Sequence, residues 1–111
     1  MALSPTSVPG QTKVVPTAAT PSATETISAN DIGDRGLILV VTNGSGASIN
    51  VTIADPGTTA AGNAGAATAQ AVATATKGWF RLLPAHVNPN TQLATVTFSA
   101  VASVTVEAVR A

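Results

Sequence analysis

Apolar and polar positions are patterned most clearly between Leu37 and Ala54, in LILVVTNGSGASINVTIA. In its second half Ile49, Val51 and Ile53 share one face, while Asn50, Thr52 and Ala54 share the other. This period of two predicts a half-buried strand, because successive side chains leave opposite faces of a sheet. Leu37 to Val41 is apolar at every position, which allows a strand covered on both faces. Between the two runs, Asn43-Gly44-Ser45-Gly46-Ala47 supplies residues that tolerate positive φ. The pattern therefore predicts a β-hairpin across this turn.

The same alternation recurs further along. Ala94, Val96 and Phe98 alternate with Thr95, Thr97 and Ser99, and Val104 and Val106 alternate with Thr105 and Glu107. Two more strands follow from this, joined through Ala100 to Ser103. Glu25 to Ser28 predicts a short strand, and Thr68 to Thr76 a strand of weak polarity contrast. Asn30 to Gly36, Asp55-Pro56-Gly57, Lys77-Gly78 and Pro84 to Asn90 carry turn and loop chemistry. Thr58 to Ala67 is nearly all Ala, Gly and Thr, with no apolar stripe at helical spacing, and predicts a mobile loop. Pro5, Pro9, Pro16 and Pro21 punctuate the stretch from Met1 to Thr24, which predicts an extended arm. The expected fold is all-β: one small antiparallel β-sandwich or barrel, jelly-roll-like, over residues 25–111, preceded by a Pro-rich N-terminal arm over 1–24.

Composition narrows the partners. Of 111 residues only 9% are charged, against roughly 25% in typical soluble proteins. The formal net charge is zero, so no basic cluster draws in nucleic acid. A neutral surface this poor in charge gives little self-repulsion and suits a chain packed against neighbours, or simply a neutral Ala- and Thr-rich domain. The absence of cysteine removes disulfides, thiolate metal sites and thiol nucleophiles. Met1 to Pro5 lacks the basic start and apolar run of a secretory signal, and no segment reaches the roughly 20 apolar residues of a membrane helix. The expectation is a soluble chain made in the cytoplasm.

No catalytic constellation emerges. His86, the sole histidine, lies in a Pro/Asn loop without a carboxylate beside it, which favours a surface role over general-base chemistry. Asp31 and Asp34 lack the spacing of a calcium loop. There is no Gly-x-Ser-x-Gly elbow, and no glycine-rich loop precedes Lys-Ser or Lys-Thr. The expectation is a protein that is not an enzyme and needs no cofactor or metal. Trp79 and Phe80, two of three aromatic residues, adjoin on a predicted strand, so one of them must face away from the side the other buries. Arg81 beside them could complete a stacking surface for a sugar or base, or shield an aromatic ring.

DRGLILVVTNGSGASINVTIADPGT, then KGWFRLLPAHVN, then QLATVTFSAVASVTVEAVRA together resemble the small capsid decoration, or cement, proteins of tailed double-stranded DNA bacteriophages. The likeness is one of layout over Asp34 to Ala111: an Asn-Gly turn before a Val/Thr-rich strand, a Pro-containing loop after an aromatic strand, and a closing V-T-F-S…V-T-V. It implies a structural virion protein on the outer capsid surface. Such a protein binds across subunits of the major capsid protein, is homo-oligomeric on the shell, and engages neither nucleic acid nor membrane. Under that reading the attachment residues are expected in the arm at Lys13, Val14 and Val15, and on the aromatic strand at Trp79, Phe80 and Arg81. The alternatives are another virion part, in the tail or at the head–tail joint, and a carbohydrate- or surface-binding β-sandwich module.

Overall fold

Alternating runs do form strands, but most of them pair with strands distant in sequence. The computed structural model describes residues 3, 5–7, 11, 13, 15, 18–33, 35–57, 60–61, 67 and 69–110. Its strands are β1 (Thr6–Ser7), β2 (Thr24–Ser28), β3 (Leu37–Asn43), β4 (Ile49–Ile53), β5 (Gln70–Val72), β6 (Thr76–Leu82), β7 (Leu93–Phe98) and β8 (Val104–Arg110). A single helical turn, α1 (Ala29–Ile32), separates β2 from β3, and a 3₁₀ turn, Pro84–His86, follows β6. Ser28 starts α1 by accepting the Asn30 N–H on its hydroxyl, and Gly33 ends it at φ 66°.

The strands make two four-stranded sheets, β1-β8-β3-β6 and β2-β7-β4-β5. The pairings nest from the outside in: β1 with β8, β2 with β7, β3 with β6 and β4 with β5. All are antiparallel except the two-residue β1·β8 contact. The pairs β3·β8 and β4·β7 then join the nested pairs within each sheet. The chain is all-β in this sense, and successive strands change sheet at every connection after β2 except β4 to β5.

Between the sheets lies one core. Leu37, Leu39 and Val41 of β3, with Val104, Val106 and Ala108 of β8, face Ile49 and Val51 of β4 and Ala94, Val96 and Phe98 of β7. The predicted alternation of β4, β7 and β8 is thus realised, each apolar position of the repeat turning inward. Burying a Val, Leu or Ile side chain stabilises by about 1.5–3 kcal/mol, so these strands carry most of the driving force.

The predicted hairpin is replaced by an arch. β3 and β4 lie in different sheets, so residues 44–48 cross the core edge instead of reversing within one sheet. β3 has β6 along one edge and β8 along the other, which leaves no edge for β4. Neither Gly44 nor Gly46 adopts positive φ. Gly44 is needed for close approach instead: its N–H donates to the Ser103 carbonyl at 2.9 Å, and a Cβ would sit 2.9 Å from that oxygen. Lys77-Gly78, expected as a turn, lies inside β6, and the reversal falls just before it at Ala75, φ 60°. Gly78 is small because a Cβ would stand 2.9 Å from Val72 Cγ2 and 3.0 Å from Phe80 Cε2. The final two strands are likewise split between the sheets.

Several residues of the 1–24 stretch lie on the chain's own sheets. Leu3 is buried and donates its N–H to the Thr26 carbonyl, and β1 runs beside β8. Ala19 exchanges two backbone hydrogen bonds with Val106. Most of the expected loop from Thr58 to Ala67 lies outside the described residues.

The crossover end is closed by Asn43, which is fully buried. Its Nδ2 donates to the carbonyls of Ala47 at 2.8 Å and Val72 at 2.9 Å. Its Oδ1 accepts from the Ser45 N–H at 3.0 Å and the Ser45 hydroxyl at 2.6 Å. Both amide hydrogens and both lone pairs are therefore used. Asn43→Ala leaves these groups without their partner and should lower stability by about 2–4 kcal/mol. Ser45→Ala, which keeps the two carbonyl contacts, should cost about 1 kcal/mol. Urea melts with unchanged m-values would check both.

Candidate functional site

The outer face of β6, β3 and β8 is where sequence-selected residues meet an exposed apolar surface. Strand alternation turns Leu82 into the core and packs the half-buried Phe80 against it. Lys77, Trp79 and Arg81 then fall on the opposite face. Trp79 is 69% exposed, so the expectation that one aromatic of the pair faces away from the core is met. Phe80, also expected among attachment residues, is half-buried on the core side of the strand.

Register builds the rest of the patch. Val40 lies between Trp79 on one side and Glu107 on the other, and Ile38 lies between Arg81 and Val109. Thr42 is flanked in the same way by Lys77 and Thr105. Three rows of three residues result: Lys77-Thr42-Thr105, Trp79-Val40-Glu107 and Arg81-Ile38-Val109. Ile38 remains 38% exposed, whereas Val40, between two long side chains, is buried. Arg81 is held in place, its Nε and Nη2 both donating to the Arg35 carbonyl. Anchoring a guanidinium reduces the rotamer freedom it would lose on meeting a partner. Leu83, 42% exposed, prolongs the alternation past the end of β6.

Ile38, Val40, Val109 and Lys77 are the members that strand-by-strand reading missed. The uninterrupted apolar run Leu37 to Val41 was the available signal, since only its alternate residues can face the core. Lys13 and Val15 are exposed, and Val14 lies outside the described residues.

A second feature is a cleft of about 370 Å³ lined by Val51, Ile53, Asp55, Gln70, Phe80 and His86, among others. Its titratable groups already serve local turns. His86 Nδ1 accepts the Leu83 N–H at 2.9 Å, and Asp55 Oδ1 accepts the Gly57 N–H at 2.9 Å. A neutral His86 therefore carries its proton on Nε2. Among the described residues no three His, Cys, Asp or Glu side chains gather as metal ligands, and no helix is long and apolar enough to cross a membrane.

No family model, curated protein or solved structure matches the chain.

Exposure separates the patch from the core energetically. Trp79→Ala should change stability by less than about 1 kcal/mol. Leu39→Ala, one strand away but fully buried, should cost about 2–5 kcal/mol. Thermal or urea denaturation of the two variants would check this contrast.

Proposed function

We propose that the two sheets form a β-sandwich of jelly-roll type and that the protein is a structural component of a virion. In this reading it decorates the outside of a phage capsid and binds across subunits of the major capsid protein. The observation that carries it is the nested strand pairing, β1·β8, β2·β7, β3·β6 and β4·β5, divided between two sheets. Three of these four pairs are antiparallel, and an antiparallel ribbon wound in this way is the jelly roll, an architecture recurrent in viral capsid domains and also in lectins. Ala19 supports the assignment, because its bridge to Val106 runs antiparallel, as the outer strand of such a ribbon must. The sequence resemblance to capsid decoration proteins points the same way.

The mechanism proposed is one of contact area. A neutral, charge-poor surface and an exposed Trp79 face suit a subunit that works docked against a shell. Each copy contributes little, but ligand-like binding to the assembled shell stabilises it by mass action, and repetition over a lattice multiplies the effect. In this reading Lys13 and Val15, both exposed, offer contacts between the parts of the 1–24 stretch that lie on the chain's own sheets. Trp79 also supports a second reading, a carbohydrate-binding module, since an exposed indole on a flat sheet face can stack on a sugar ring.

Co-sedimentation with undecorated shells separates the two. The decoration reading expects saturable binding at hundreds of copies per particle, with shells made more resistant to heat. A folded protein left wholly in the supernatant would overturn it. Sugar-dependent quenching of the lone tryptophan would then favour the second reading.

A further inference from the structure

Among the described residues β6 is the edge of its sheet. It stands at the end of the order β1-β8-β3-β6, and among the described strands it pairs with β3 alone. It is seven residues long and contains no proline, so one side of the strand presents backbone N–H and C=O groups to any chain that can align with them. Along its outer face the order is Lys77, Trp79, Arg81, two cations about 13 Å apart with an indole between them. Neither β6 nor β3 contributes a carboxylate to that face. Glu107 is two strands from the edge, about 10 Å away and near the screening length of physiological salt.

We propose that β6 is a strand-addition site for an extended acidic segment, one with carboxylates four residues apart and a small apolar residue midway. The main chain of that segment would continue the sheet, while its carboxylates face Lys77 and Arg81 and its apolar residue packs beside Trp79. Opposite charges directly across a ladder are favourable and like charges are not. The same rule disfavours a second copy of this chain as the occupant. Symmetric antiparallel pairing about Trp79, the central residue of β6, gives the longest ladder but sets Lys77 against the other copy's Arg81. The anchoring of Arg81 on the Arg35 carbonyl holds one cation at the edge before any partner arrives. The inference is independent of the shell reading, because the segment is defined by its chemistry whatever protein carries it.

The lone tryptophan makes the test direct. The full chain is titrated with the blocked peptide Thr-Glu-Thr-Val-Thr-Glu-Thr, whose palindromic order fits either strand direction, while Trp79 fluorescence is followed. A saturable change is expected, weakened about tenfold when both glutamates of the peptide are replaced by lysine. The double variant Lys77→Glu/Arg81→Glu should prefer the lysine peptide instead. Because both substitutions are at exposed positions, folding is checked by circular dichroism and expected to persist. N-methylation of alternate peptide residues should abolish the signal in the one frame whose N–H groups face β6, and leave it in the other. Equal responses to the two peptides, no response to either, or full binding by both N-methylated frames would overturn the proposal. So would a dimer in sedimentation equilibrium that the acidic peptide fails to dissociate, since it would place a second copy on the edge.

Discussion

The structure depends on how a buried amide closes one end of the core. Three connections, β3 to β4, β5 to β6 and β7 to β8, meet where Asn43 stands, since Asn43 is level with Thr76 on one side and Val104 on the other. Its side chain bonds into the arch and onto β5, its own carbonyl accepts the Ala75 N–H, and the Gly44 N–H reaches Ser103. A chain that changes sheet repeatedly must expose backbone groups at each crossing, and in a core edge those groups need protein partners. Asn43 supplies several at once, which an apolar residue of similar size would not. Hydrogen bonds of Asn43 thus link the two sheets at this point.

From that end the functional face follows. β3 sits between β6 and β8, so its outward residues Ile38 and Val40 are bracketed by long side chains from both neighbours. The inward alternation that buries Leu37, Leu39 and Val41 is the same geometry that presents Trp79 and Arg81 to solvent one strand away. Core and surface are thus not independent designs. Shifting β6 by one residue against β3 would bury Lys77 and expose Leu82, which the pleat forbids energetically.

Strand identity was legible because a period of two is a local property. Ile49, Val51 and Ile53, or Ala94, Val96 and Phe98, reveal their inner face without any knowledge of partners. Pairing was not legible, because it depends on which edges remain open after distant strands have docked. The Asn43-Gly44-Ser45-Gly46 turn has hairpin composition, yet its asparagine is spent on an arch and its first glycine on a close backbone approach. Among the described non-glycine residues positive φ falls instead on Ala75, Gln92 and Ser103, each one residue before a strand, where nothing in the residue type announces it. In the candidate site, Trp79 and Arg81 were visible as an unusual cluster. Ile38, Val40 and Val109 join them only through the register of β3 with β6 and β8.

The nested pairing also sets a timetable for the chain's birth. β2 gains its β7 neighbour only once Leu93 to Phe98 is made, and β3, between β6 and β8, cannot gain its second neighbour until Val104 to Arg110 has left the ribosome. At roughly 5–20 residues per second, the apolar run Leu37 to Val41 stays unsheltered for seconds during synthesis. High contact order slows closure further once the chain is complete. The low-charge segment that later becomes the centre of a sheet is therefore, in the nascent polypeptide, its most aggregation-exposed stretch. Its quality in the cell is decided by how quickly the last strand arrives.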